Sequence, residues 1–184
     1  MLLPIYAYGQ PVLKKKALPI SKDYPELPAL IQNMWDTMYH ASGVGLAAPQ
    51  IGLGIRLFVV DTQQMMKDEE RSSGIKSVFI NPEIIEESGK SWSYEEGCLS
   101  IPNIRGDVER LENIKIKYLD GDFIEHETDF DGINARVIQH EYDHLEGKLF
   151  VEKLSPLKKK LIQRKLENIK KGKVAAEYRL KFAV

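Results

Sequence analysis

The sequence predicts an α+β fold in a single domain spanning 1–184, and three observations carry that prediction. At 184 residues the chain has the length of one domain and can bury a substantial core. Its candidate strands, which read as short and mainly antiparallel, are grouped between helices and do not alternate regularly with them. The strands are expected to pack around a central helix that holds an ionisable cluster, with one further helix toward each terminus. No internal repeat and no Gly, Ser or Pro-rich linker divides the chain.

The first helix is expected to begin near Pro25 or Pro28, whose fixed φ suits a first turn. It carries Leu27, Leu30, Ile31, Met34 and Met38 at helical spacing and should stop by Gly43. Runs rich in branched and aromatic residues at Leu57 to Asp61, Val78 to Ile80, Ile114 to Tyr118 and Phe123 to His126 read as strands. Asp120-Gly121 is a hairpin turn signal between the last two. Thr62 to Gly74 is polar and reads as an exposed loop. A second helix is expected from about Asp131 to Leu145, with Ile133, Val137, His140 and His144 on one face and Gly147 as a stop. The last helix starts with Ser155 as N-cap and Pro156 at the first position. It sets Leu157, Leu161, Ile162, Leu166 and Ile169 on one side and Lys and Arg on the other. The tail KVAAEYRLKFAV has room for a short strand.

Charge names no partner, because 26 basic and 27 acidic side chains leave a net charge of -1. Met1 to Gly9 lacks the basic lead, apolar length and cleavage site of a signal peptide, and no run approaches a membrane span. The single cysteine, Cys98, cannot form an internal disulfide and fits a reducing compartment, so the chain reads as cytoplasmic.

The sharpest chemical signal is His140-Glu141-x-x-His144 inside the second helix. Imidazoles four residues apart project from one face and can reach one metal ion, with Glu141 beside it as a base for water. Two histidines that are simply buried and hydrogen-bonded are the alternative. A catalytic site needs a third protein ligand. A histidine six residues beyond His144 would mark a metzincin, but Phe150 stands there. Glu167 and Cys98, the latter in EEGCLSIP, remain candidates, although a lone cysteine is often only a small buried apolar residue. The segment SGVGLAAPQIGLG, Ser42 to Gly54, lacks a phosphate-loop pattern. Its glycines suit a strand edge that pairs with an extended peptide, with Gln50 as a neutral donor.

GVGLAAPQIG, EGCLSIP and QHEYDHLEG, in that order, resemble the three signature motifs of peptide deformylases. The resemblance extends over nearly the whole chain. It implies hydrolytic removal of the formyl group from N-terminal formyl-methionine of nascent polypeptides, with a metal-activated water as nucleophile. It implies Cys98, His140 and His144 as metal ligands and Glu141 as general acid/base. Gln50 and the backbone N–H of Leu99 would form the oxyanion hole. Substrate backbone would pair with Gly43 to Gly45 and Gly97, and the methionine side chain would enter a pocket bordered by Val44, Tyr94, Ile133, Arg136, Val137 and His140. Glu96, Arg105 and Arg110 would be supporting or rim residues. The family implies Fe²⁺ as the working ion, with Zn²⁺, Ni²⁺ or Co²⁺ able to replace it. The Lys and Arg residues between Lys158 and Lys173 are opposed only by Glu167. Since the family's substrate emerges from the ribosome, this basic helix is an expected ribosome contact through phosphates, without sequence-specific nucleic-acid recognition.

Overall fold

In the computed structural model, which describes residues 1–183, the elements follow in the order β1 (Ile5–Tyr6), α1 (Leu27–His40), β2 (Gly45–Ala47), β3 (Leu57–Asp61), β4 (Lys76–Cys98), β5 (Ile101–Leu119), β6 (Glu125–Asp131), α2 (Gly132–Leu145), α3 (Pro156–Lys170) and β7 (Leu180–Lys181). β2 to β6 form one antiparallel sheet in the order β2-β3-β4-β5-β6, and β1 pairs with β7 in a separate parallel pair. This is the α+β class that the grouping of strands predicted. Among the described residues no helix is long and apolar enough to cross a membrane.

The sequence LFVVD of β3 has no polar face because both of its faces are covered. Leu57 and Val59 point one way, into a core with Met34 and Met38 of α1. Phe58 and Val60 point the other way, into a core with Phe79, Ile114, Ala135 and Ile138. The period of two in a strand thus joins two cores through one five-residue element. A third core, with Ile101, Ile104, Val108, Phe150, Leu154, Ile162 and Ile169, holds α3 against β5. Helix α2 lies between sheet and site, burying Ala135, Ile138 and Leu145 completely.

Several local expectations change in the fold. Val78 to Ile80 and Ile114 to Tyr118 are only parts of strands 23 and 19 residues long. In β5 the inward positions alternate strictly over Ile104, Gly106, Val108 and Arg110. Half of them are therefore not apolar, which hides the strand from a hydrophobic pattern. Gly106 is inward because a Cβ there would meet Leu154 Cδ2 at 2.6 Å. Bulges between Ile80 and Glu83, Ile84 and Glu86, Ser88 and Ser91, and Gly97 and Cys98 bend the long hairpin, so that one pair of strands serves two cores.

The hairpin at Asp120-Gly121 forms, but β6 begins at Glu125 and not at Phe123. Phe123 has a φ of 62°, and Asp120 Oδ1 accepts from the N–H groups of Asp122 and Ile124, which makes the connection longer than a two-residue turn. Helix α2 starts at Gly132 with Asp131 as its N-cap. In α3, Ser155 Oγ accepts from Lys158 N at 3.2 Å, as the sequence indicated. Leu157 and Leu161, however, are 69% and 67% exposed, because α3 meets β5 only along the line of Ile162 and Ile169. The polar segment 62–74 contains two short 3-10 turns, anchored where Asn134 Nδ2 donates to Ser73 O at 2.8 Å. The tail supplies β7.

Phe79 has no exposed surface and stacks on Phe58 at 4.7 Å, with Tyr118 at 4.4 Å on its other flank. Phe79→Ala is expected to reduce the free energy of unfolding by about 3–5 kcal/mol in urea denaturation, since it opens a cavity where β3, β4 and β5 meet.

Candidate metal centre

Two elements deliver three donor atoms to a common point. Helix α2 presents His140 and His144 one turn apart, their ring centroids separated by 5.2 Å. Cys98 is the last residue of β4, set by the bulge after Gly97. The donor atoms of Cys98, His140 and His144 all lie within 4.8 Å of one another, and Cys98 Sγ is 3.4 Å from His144 Nε2. Glu167 lies on α3 and takes no part in this group, so of the two candidate third ligands the fold brings Cys98 to the histidines.

Gln50 reaches the same point from a short 3-10 turn, Ala48–Ile51. Its carbonyl end is fixed, because Ala47 N donates to Oε1 at 2.9 Å. The amide nitrogen is thereby turned to Cys98 Sγ at 3.4 Å and Ser100 Oγ at 3.2 Å. Glu141 is buried, and its Oε2 has no hydrogen-bond partner among the described residues. A buried acceptor without a partner is costly unless water or an ion completes it, so this oxygen, in a cavity shared with Cys98 and His140 of the donor group, fits a metal centre with water. Burial pushes the Glu141 carboxyl up to about 7, with His140 lowering it and Glu96 raising it. Burial and the charge of His140 hold His144 well below the usual imidazole value, neutral and with one ring nitrogen free to ligate. For His140, burial acts downward, but Cys98 and Glu96 outweigh it and favour a proton where a cation would replace it.

The orientation of His140 comes from Glu96. This carboxylate, 5% exposed, accepts from His140 Nδ1 at 2.9 Å, Arg110 Nε at 2.8 Å, Arg110 Nη2 at 3.0 Å and Arg136 Nη1 at 2.9 Å. Burial alone would raise its pKa, but hydrogen bonds and charges of His140 and Arg110 hold it well below the usual carboxylate range. Arg110 also donates to Asp143 Oδ2 at 2.8 Å.

The centre opens into a cavity of about 770 Å³. Gly43, Val44, Gly45, Tyr94, Gly97, Leu99, Arg105, Arg136 and Val137 line it. Ile133 does not: four residues before Val137, it lies about 6 Å farther along the helix axis, beyond the cavity. Glu96 and Arg110 are buried supports and not rim residues. Arg105 is the rim residue, exposed and paired with Glu95 at 3.0 Å. Arg136 reaches the lining from beneath, with its guanidinium 4.4 Å from the Trp92 ring centroid and bonded to Glu96. The glycines are there for closeness. A Cβ on Gly45 would stand 2.7 Å from Glu141 Cδ, and one on Gly43 would stand 2.7 Å from Leu99 Cδ1.

Sequence reasoning missed Ser100, Asp143, Met65 and residues 175–178, all of which line or brace the site. Asp143 lies inside the helix motif, but nothing in its spacing reveals a buried arginine partner. The segment 175–178 carries no motif at all.

A family model described as polypeptide deformylase matches residues 2–160. Peptide deformylase of Christiangramia forsetii is 56% identical over 189 residues, which cover 99% of this chain and 96% of the relative. Peptide deformylase of Cytophaga hutchinsonii is 53% identical over 184 residues, covering 100% and 99%. Among solved structures, a peptide deformylase from Legionella pneumophila is 41% identical with a TM-score of 0.81, covering 93% of this chain and 96% of that one. The enzyme from Plasmodium falciparum is 34% identical with a TM-score of 0.82, covering 91% and 95%.

Glu96→Gln should weaken metal affinity by about 10- to 100-fold, because His140 loses the charged acceptor that orients it. Chelator competition measures this directly, and unchanged affinity would show that His140 is held by packing alone.

Proposed function

The chain belongs to the polypeptide deformylase family of hydrolases, and we propose that it removes the formyl group from the N-terminal formyl-methionine of nascent polypeptides, releasing formate. One observation carries this reading: Cys98, His140 and His144 converge at the point that the Gln50 amide also addresses, in a cavity lined by Glu141, whose Oε2 has no hydrogen-bond partner among the described residues. Those three residues would hold one divalent ion, with Fe²⁺ as the physiological ion and Zn²⁺, Ni²⁺ or Co²⁺ as replacements that suit a sulfur and two imidazoles. When bound, the ion would supply Lewis acidity, polarising the formyl carbonyl and lowering the pKa of water to about 7.

The remaining work falls to the chain. An extended formyl-methionyl peptide pairs with the backbone of Gly43 to Gly45 and Gly97, where the absence of side chains admits it. Its methionine side chain enters the pocket formed by Val44, Tyr94, Arg136 and Val137, while Arg105 and Glu95 border the exit toward later residues. Glu141 takes a proton from water as oxygen attacks the formyl carbon. Gln50 Nε2 and Leu99 N–H donate to the carbonyl oxygen as its negative charge develops, with Gln50 held ready by Ala47 and Ser100. The carbon–nitrogen bond then breaks, and Glu141 returns the proton to the departing amine.

We further propose that the enzyme works in the cytoplasm, close to the ribosome. The exposed basic side chains Lys159, Lys160, Arg164 and Lys165 of α3 support this placement, since phosphate contacts favour such a surface. These residues are on a different helix from the metal centre. Reversing their charge should weaken ribosome cosedimentation at low salt and leave hydrolysis of short formyl peptides within about twofold of the parent, because surface substitutions away from the site change little.

The central test compares formyl-Met-Ala-Ser with the unformylated peptide under anaerobic conditions, with metal content measured on the same sample. Formate should be released only from the first, and a chelator should abolish the rate. Metal-loaded protein that releases no formate would overturn the reading. Glu141→Gln is expected to retain metal and lose about 10²- to 10⁴-fold in kcat. Near-normal turnover in that variant would assign the proton transfer elsewhere.

A further inference from the structure

The segment following α3 has no part in the chemistry above, yet residues 175–178 form one wall of the site cavity. Tyr178 Oη donates to the carbonyl oxygen of Leu99 at 2.7 Å. Leu99 and Ser100 are the two turn residues joining β4 to β5, directly after Cys98. The other carbonyl of this turn is also held from outside, because Tyr8 N donates to Ser100 O at 2.8 Å. Tyr8 and Tyr178 flank the same small sheet: β1 ends two residues before Tyr8, and β7 begins two residues after Tyr178. Ile5 N donates to Arg179 O and Ala7 N to Lys181 O, each at 2.9 Å, so the two segments form one unit. Asn103 Nδ2 fastens the approach to Tyr178 by donating to Ala175 O at 3.1 Å. The Leu99 N–H itself donates to no group among the described residues.

We infer that the β1–β7 pair is a clamp on the catalytic turn and that Tyr178 is a positioning residue, acting through the Leu99 carbonyl to aim the Leu99 N–H at the developing oxyanion. This rests on the function proposed above. A turn gripped at one carbonyl only can rock about the other. A donor that wanders loses most where charge is greatest, in the transition state, and less in the ground state. The effect of releasing it therefore falls on kcat.

The test uses the full metal-loaded chain, with Tyr178→Phe, Gln163→Ala as a control on the exposed face of α3 outside the clamp, and Asn103→Gly. Glycine keeps the positive φ of 63° at 103 and frees only Ala175. On formyl-Met-Ala-Ser, Tyr178→Phe is expected to lower kcat about tenfold, the equivalent of one hydrogen bond, with KM within about twofold. Asn103→Gly should lower kcat less, and Gln163→Ala should match wild type. In ¹H–¹⁵N spectra of the Zn²⁺-loaded chain the Leu99 and Ser100 amide signals should move in Tyr178→Phe and stay in Gln163→Ala. Wild-type kcat in both Tyr178→Phe and Asn103→Gly would overturn the inference. So would a change confined to KM, which would make Tyr178 a substrate contact. If Tyr178→Phe does not fold, Asn103→Gly decides alone on the same two readouts. If wild type releases no formate, the proposed function fails, and the amide signals still judge the clamp: unmoved signals overturn it.

Discussion

The buried carboxylate of Glu96 is the constraint on which the site depends. A charge at 5% exposure is costly to leave without partners, and those it has come from two other elements: Arg110 from β5, Arg136 and His140 from α2. Satisfying all of them at once sets the β4–β5 hairpin against α2 at one height along the helix. Had the helix slid by a turn, Arg136 and His140 would leave the Glu96 carboxylate and Arg110 would lose Asp143. The ion cluster is therefore less a source of net stability than a device that selects one arrangement, and that arrangement also turns His140 so that its other nitrogen faces Cys98.

Around this fixed point, the remaining groups arrive through backbone that tolerates close approach. Gly45 lets β2 pass beside Glu141, and Gly97 lets β4 carry Cys98 up to the helix past Arg105. Gln50 is held at its carbonyl end, which commits the donor end to the site. The result is a cavity in which the Gln50 amide and the Glu141 carboxyl are held in place, an arrangement that would serve the proposed stabilisation of a developing charge. Its entrance is edged by β2, a sheet edge that is open on the side of the cavity and suited to an extended peptide.

The stable frame beneath the site is β3, buried on both faces between α1 and α2, and the long bulged hairpin that continues from it. The bulges allow β5 to face the core of α2 at one end and that of α3 at the other. Helix α3 is attached along one narrow line, which leaves Leu157 and Leu161 in solvent beside the basic residues. It thus contributes little to the geometry of the metal centre, and its sequence is free to serve the surface.

Much of this was legible in the sequence, for a physical reason. Helices α1, α2 and α3 are governed by local periodicity, capping and Pro or Gly signals, and those interactions lie within a few residues of one another. The pair His140 and His144 is likewise local, since helical geometry alone puts both on one face. Three short motifs then identified the family, and with it Cys98 as the partner of those histidines. What the sequence did not disclose was set by contacts between distant residues. β4 and β5 exceed their apolar runs because pairing and inward Gly106 and Arg110, not hydrophobicity, sustain them. Glu96 and Arg110 read as supports or rim until the fold buried them together. Ile133 shares a face with His140, yet lies outside the cavity because the cavity covers only part of that face. The β1–β7 pair and Tyr178 left no local mark at all. Their roles come from bonds between residues some 80 to 175 positions apart, which only the tertiary structure brings into contact.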